Sequence, residues 1–246
     1  MKKFTHEVLS LLLLSLSVAS FNAAAEGTLK VVTDATFPPL EFVKDGQMTG
    51  FDIELIKEVG KRLDKKVELV QVDFKGLIPS LVSGRADAAI SGIYITEERA
   101  KVVDFSDTYL AGGLVVLTRQ GNDAINSPAD LAGKSVSAQI GTKSVAHLKE
   151  HFPQTKIVEV EKNQQMFNLV SIGRVDAAVT GKPAAFTYAT ERGGVKILPE
   201  QLTTEEYGIA VRKGAGDLKQ QIDQAIEAMK QDGTYDELYQ KWFPAT

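Results

Sequence analysis

Apolar positions along the chain alternate between two periods. Residues 29–33 read Leu-Lys-Val-Val-Thr, a β-rich stretch that stops at Asp34. Residues 51–63 then place Ile53, Ile56, Val59 and Leu63 on one helical face. Residues 67–72 return to β-branched, strand-like sequence. Strands alternating with helices of this length predict βαβ units, a largely parallel sheet and an α/β fold.

The strongest regularity is internal. Gly84-Arg85-Ala86-Asp87-Ala88-Ala89-Ile90-Ser91-Gly92 recurs 89 residues later as Gly173-Arg174-Val175-Asp176-Ala177-Ala178-Val179-Thr180-Gly181. Each copy follows a helix-like run, 77–83 and 166–172. The leading glycine suits the left-handed residue that ends a helix, and the Ala pair suits a buried strand packed closely under helices. A period this long excludes a solenoid and predicts two similar α/β lobes. Ligands of open parallel sheets sit beyond the carboxyl ends of the strands. Ser91-Gly92 and Thr180-Gly181 are therefore expected on opposite walls of one cleft, where glycine lets a ligand approach the backbone.

Two crossings between the lobes are read at Ala111-Gly112-Gly113 and at Tyr207-Gly208, each followed by strand-like sequence. Lobe 1 is then 26–112 plus 208–246, and lobe 2 is 113–207. A helix expected over 218–230, with Ile222, Ala225, Ile226 and Met229 on one face, returns to lobe 1. Residues 235–243 close the chain with an aromatic cluster.

The N-terminus changes the picture of where this fold works. Lys2 and Lys3 precede an apolar, serine-broken stretch over 9–19, and Ala23-Ala24-Ala25 offers a small-residue cleavage site. These are the three parts of a secretory signal peptide over 1–25, and the apolar stretch falls short of the ~20 residues that a membrane span needs. No cysteine is available for lipid attachment, so the mature chain is expected free, starting near Glu26. Cleavage moves the formal charge from −4 to −5. That balance, without a basic patch, argues against nucleic acid as a partner. With no cysteines in an exported chain, neither disulfides nor thiolate metal sites support the fold. Hydrophobic burial has to suffice. No other segment is apolar and long enough to span a bilayer, so a soluble periplasmic product is expected.

A set of ordered motifs then runs through the mature chain. Thr33-Asp34-x-x-Phe37-x-Pro39-x-Glu41-Phe42 is followed by Gly50-Phe51-Asp52-Ile53-Glu54-Leu55 and Asp73-Phe74-x-Gly76-Leu77-Ile78-Pro79. Ile95-Thr96-x-Glu98-Arg99, Asp104-Phe105-Ser106-Asp107, Asp232-Gly233-Thr234-Tyr235 and Lys241-Trp242-Phe243 complete the series. In this order they resemble the polar amino-acid-binding proteins of bacterial ABC importers. The resemblance implies the type II periplasmic binding fold: two Rossmann-like lobes, a two-stranded hinge and a ligand cleft between them. It also implies a small-molecule ligand, in most relatives an amino acid, and a membrane permease as partner. It implies a monomer that needs no cofactor or metal and catalyses no reaction.

The same resemblance assigns site residues. Arg99 matches the arginine that clamps the ligand α-carboxylate, a task that a planar fork of donors suits. Thr96 reads as an N-cap that puts Arg99 in a helix first turn, where an anion would relieve the cation's opposition to the macrodipole. On spacing alone a surface ion pair with Glu97 or Asp104 competes with that role. Ser91, Gly92 and Tyr94 match the loop of further carboxylate contacts, although the family usually has Ser or Thr at the position of Tyr94. Phe37 and Phe74 match aromatics that sandwich the ligand, and as core residues they would look the same. Asp34 matches a reader of the ligand's side chain or polar end. From the second lobe, Gln139 and Gly141-Thr142 match a loop entering a helix near Lys143, whose free amides make an anion site.

At Gly181 the chain departs from the pattern, for the family has an aspartate there that holds the ligand's ammonium. A buried ammonium without a carboxylate is costly. Asp34 could serve instead, or the ligand could be a D-amino acid or an acid lacking the amine. For an L-amino acid held by Asp34, Gly181→Asp is expected to keep or improve affinity. Lys182 and Lys143 could then meet a second anionic group. A competing class is an enzyme on the same fold, such as the cyclohexadienyl dehydratases. Such an enzyme needs a placed general acid in the cleft. His147 and His151 fall past the cleft loop, and no nucleophile triad, P-loop or metal-spaced cluster occurs in the sequence.

Overall fold

Two five-stranded sheets carry the fold, each built around one copy of the repeat. The computed structural model describes residues 27–243. The expected export segment, 1–25, lies outside them. The first sheet runs Lys65–Gln71, Gly27–Thr33, Ala88–Ala89, Ala210–Arg212, Val103–Phe105. The second runs Lys156–Val160, Ser135–Gln139, Ala177–Gly181, Leu114–Arg119, Val195–Ile197. Three strands of each sheet are parallel, as the alternation predicts. The sheets are nonetheless mixed. Ala210–Arg212 and Leu114–Arg119 run antiparallel to both neighbours. These two strands enter directly from the crossings between sheets, and no βαβ connection dictates their direction.

The repeat earns its residues mechanically. Gly84 and Gly173 adopt φ of 71° and 70° and donate back to Leu81 and Val170 O, both at 3.0 Å, ending their helices. Three residues on, an aspartate grips the neighbouring strand twice. Asp87 donates its amide to Lys30 O at 2.8 Å and accepts from the Lys30 amide at 3.0 Å on Oδ2. Asp176 does the same with Ser135, at 2.8 Å in both directions. Each clamp sets the register that follows, Val31 against Ala88 and Val136 against Ala177. The small Ala pairs are fully buried, with Leu77 and Leu81 packing near the first.

Leu110–Gly112 and Glu205–Tyr207 join the two sheets as an antiparallel ribbon, with Tyr207 opposite Leu110. The C-terminal helices Gly216–Gln231 and Thr234–Trp242 pack on Phe51–Arg62, the first helix. Ile222, Ala225, Ile226 and Met229 form the buried face of the first of them. Phe51 anchors the closing aromatics, 5.9 Å from Tyr235 and 5.2 Å from Phe243. This packing fixes the start of the first helix, including Asp52, directly behind the loop that carries Phe37 and Glu41.

Candidate ligand-binding cleft

The parallel strands of both sheets end at one cavity. From the first sheet come Asp34, just past Gly27–Thr33, and Ser91 and Gly92, just past Ala88–Ala89. Phe37, Phe74, Tyr94 and Arg99 complete that wall. From the second come Gln139 and Gly181 at strand ends, with Thr142 and Lys143 at the start of Lys143–His151. All eleven residues picked out in the sequence therefore line a single space. Thr180, expected beside Gly181, lines it too, as do Glu41, Leu114, Ser144, Asn163 and Tyr207, to which the sequence assigned no ligand contact. Lys182 is not among them, and its ammonium lies 5.8 Å from the Phe186 ring. His147 packs on His151 and on Phe152, and both histidines lie outside the lining.

Arg99 is held without an acid. Thr96 caps the short helix Glu97–Ala100, its Oγ1 accepting from the Arg99 amide at 3.2 Å. The guanidinium donates to Tyr94 O at 2.8 Å and, across the cleft, to Gly141 O at 3.3 Å. It also stands 5.5 Å from the Phe74 ring centroid. Asp104, one partner that spacing offered, pairs with Lys213 at 2.8 Å instead. Among the described residues no carboxylate comes within 4.0 Å of Arg99. Burial pulls its pKa down to about 10 against the fields of Glu98 and Glu205, so it stays charged at neutral pH.

Asp34 has less freedom than the sequence allowed. Only 1% exposed, it accepts from Gln139 Nε2 at 2.7 Å and from Lys162 Nζ at 3.1 Å, both from the second sheet's side. Lys162 reaches Asp73 as well, at 2.7 Å. Gln139 is fixed in turn by Asn163 Nδ2 at 2.9 Å. On the opposite wall Thr142 Oγ1 donates to Gln139 O at 2.6 Å. No side chain caps the Lys143–His151 helix, and its first residues face the cavity.

Behind Ser91 lies a pair of buried acids. Ser91 Oγ accepts from the Asp34 amide and donates to Glu41 Oε1, both at 2.9 Å. Asp52 is buried near Glu41, and its Oδ2 accepts from the Gly92 amide at 2.8 Å and from Tyr109 Oη at 2.9 Å. Burial first, then the Asp52 charge, raises Glu41 well above the carboxylate range, while burial raises Asp52 to about 6. Both groups bind protons more tightly folded than unfolded, so their share of stability is present at low pH. It is lost as pH rises from the ordinary 3.8 of Asp52 through about 6 and beyond. Urea midpoints should therefore fall as pH rises through about 6, and Glu41→Gln, which cannot ionise and still accepts from Ser91, should flatten that fall. An equal slope in the variant would place the titration elsewhere.

Tyr94 does not stand in for the Ser or Thr usual in the family. Its hydroxyl donates to Gly113 O at 3.0 Å and accepts from the Gly113 amide at 3.1 Å and from Tyr207 Oη at 2.9 Å. The two rings stack at 4.3 Å. Burial raises the Tyr94 phenol to about 12, so it remains neutral. This stack explains Gly181. A Cβ there would lie 2.6 Å from Tyr207 Oη, 3.1 Å from Phe37 and 3.2 Å from Tyr94 Oη. Gly181→Asp cannot simply restore a carboxylate, and the expectation that it keeps or improves affinity is corrected.

The family model for bacterial extracellular solute-binding proteins, family 3, matches residues 29–245. The chain belongs to this family. As a family 3 solute-binding protein it has the type II periplasmic binding fold, two α/β halves with a cleft between them. The ABC transporter glutamine-binding protein GlnH of Bacillus subtilis (strain 168) is 35% identical over 216 residues, spanning 86% of this chain and 79% of that one. A solved ancestral arginine-binding protein bound to arginine is 46% identical, with a TM-score of 0.85 over 88% of this chain and 98% of that one. The ancestral amino acid-binding protein AncCDT-1, a precursor of cyclohexadienyl dehydratase, is 43% identical, with a TM-score of 0.83 over 88% and 96%. Among the described residues of this solute-binding protein, no helix is long and apolar enough to cross a membrane.

Proposed function

We propose that this protein captures an amino acid in the periplasm and delivers it to the membrane permease of an ABC importer, acting as a monomer. Arg99 carries the reading. A charged, half-buried guanidinium, facing a cavity and lacking an acid partner, is a carboxylate site. The uncapped helix start at Lys143 adds favourable potential for the same anion. Names of relatives that bind glutamine or arginine support an amino acid. The two units read as 26–112 plus 208–246 and 113–207 would close on the solute by bending at Leu110–Gly112 and Glu205–Tyr207. Small-angle scattering across a panel of amino acids should show a smaller radius of gyration with the ligand that binds. An unchanged radius at saturation counts against closure. An enzyme on this fold would need an acid aimed at substrate, and the cavity's acids are held by the protein itself, Asp34 by Gln139 and Lys162 and Glu41 by Ser91. Absence of product after incubation with cyclohexadienyl acids is the matching expectation.

A further inference from the structure

Resting on the reading of the cleft as an amino-acid site, we infer that Lys162 sets its charge selectivity: by pairing with Asp34 from outside the cavity lining, it turns the cleft against ligands with a cationic side chain. Lys162 follows the strand Lys156–Val160 and stands at the start of the helix Asn163–Ser171, its amide donating to Gln165 Oε1 at 3.2 Å. A positive charge there opposes the helix macrodipole, so the helix itself gives no reason for a lysine. Its partners do. The strands Gly27–Thr33 and Lys65–Gln71 are parallel neighbours with Thr33 beside Gln71, and Asp34 and Asp73 follow from their adjacent ends. Lys162 Nζ donates to both, to Asp34 Oδ1 at 3.1 Å and to Asp73 Oδ1 at 2.7 Å.

The two acids differ in what that pairing does. Asp73 is half exposed and outside the cavity lining, where water screens its charge. Asp34 is buried and lines the cavity, so its charge acts there with little screening. Lys162 offsets that charge at contact distance, while Gln139 Nε2 holds the other oxygen at 2.7 Å without adding charge. Because Lys162 is not part of the lining, its removal takes away charge and no wall. The lining already carries two cations, Arg99 and Lys143. A further positive charge on the ligand is stripped of water on entry and needs an acid in return. Glu41, the other acid among the described lining residues, competes with Asp34 for that part. Its Oε1 accepts from Ser91 at 2.9 Å and its Oε2 has no partner.

Calorimetric titration of the wild-type mature protein with L-arginine and L-citrulline tests this, a pair similar in shape and differing by one charge. Their shared ammonium and carboxylate cancel in the ratio of affinities. The wild type should give arginine no advantage. Lys162→Met should move the ratio toward arginine by about tenfold or more, the scale of one freed charge-assisted hydrogen bond. Lys162→Gln, which keeps a donor and drops the charge, should move it the same way. A merely structural role would change both affinities together and leave the ratio alone. Adding Asp34→Asn to Lys162→Met should abolish the shift, whereas adding Glu41→Gln should preserve it. An arginine advantage in the wild type, an unmoved ratio in both Lys162 variants, or a shift that survives Asp34→Asn overturns the inference and leaves the amino-acid reading intact. Binding of neither probe by any of these proteins also overturns it. A wild-type panel of the standard amino acids that finds no ligand overturns the amino-acid reading as well.

Discussion

Arg99→Ala is expected to weaken solute binding by about 2–5 kcal/mol, roughly 30- to 5000-fold. The magnitude follows from what surrounds the guanidinium. Within the protein it meets two carbonyl oxygens and the face of Phe74, so no acid loses a partner when it is removed. Folding stability should change little, and the loss should appear in affinity. Arg99→Lys should fall between, because a point charge replaces a planar fork that can hold both carboxylate oxygens. Calorimetric titration with the tightest-binding amino acid of a wild-type panel gives the comparison. A loss below about 1 kcal/mol would mean an exposed charge that touches no ligand.

Tyr207→Ala should cost about 3–5 kcal/mol of unfolding free energy, the scale of removing a large buried aromatic. Tyr207 is fully buried at the ribbon between the sheets, stacked on Tyr94 at 4.3 Å and 6.3 Å from Tyr109. Its carbonyl accepts from the Tyr109 amide at 3.0 Å, so the ring packs where the chain crosses between halves. Tyr207→Phe keeps the ring and gives up one hydrogen bond, and should cost only about 1 kcal/mol. Denaturant titration of both variants separates packing from the hydroxyl. Equal losses would mean that the hydroxyl, rather than the stack, holds the ribbon.

Much of this molecule is legible from its residues. The repeat announces two matching sheets because each copy needs the same glycine stop, aspartate clamp and small strand. The cleft follows because both copies end in glycine where parallel strands end. Arg99 and the aromatic pair came from ordered motifs rather than from chemistry alone, since an arginine five residues from an aspartate looks equally like a surface pair. Glu41 and Asp52 went unread. A lone acid inside an apolar run gives no sign that it is buried, and nothing in either segment says that the two meet. Lys162 was missed because a lysine at a strand-to-helix turn is ordinarily solvated. The role of Tyr94 was hidden for another reason. Its odd size and the missing side chain at Gly181 are two halves of one fit, and only the folded chain brings them together.

The aspartate clamps have a consequence for how such a protein can change. Asp87 and Asp176 hold the entry ends of Ala88–Ala89 and Ala177–Gly181, whereas Ser91, Gly92 and Gly181 line the cavity beyond or at the exit ends. Fold maintenance and ligand choice thus sit at opposite ends of the same short strands. Substitutions at the exit ends leave the register-setting hydrogen bonds untouched, so a lineage can exchange one nutrient for another without first accumulating spare stability. Having two copies doubles that latitude. One wall can keep its grip on a carboxylate while the other drifts toward a new neighbour for it.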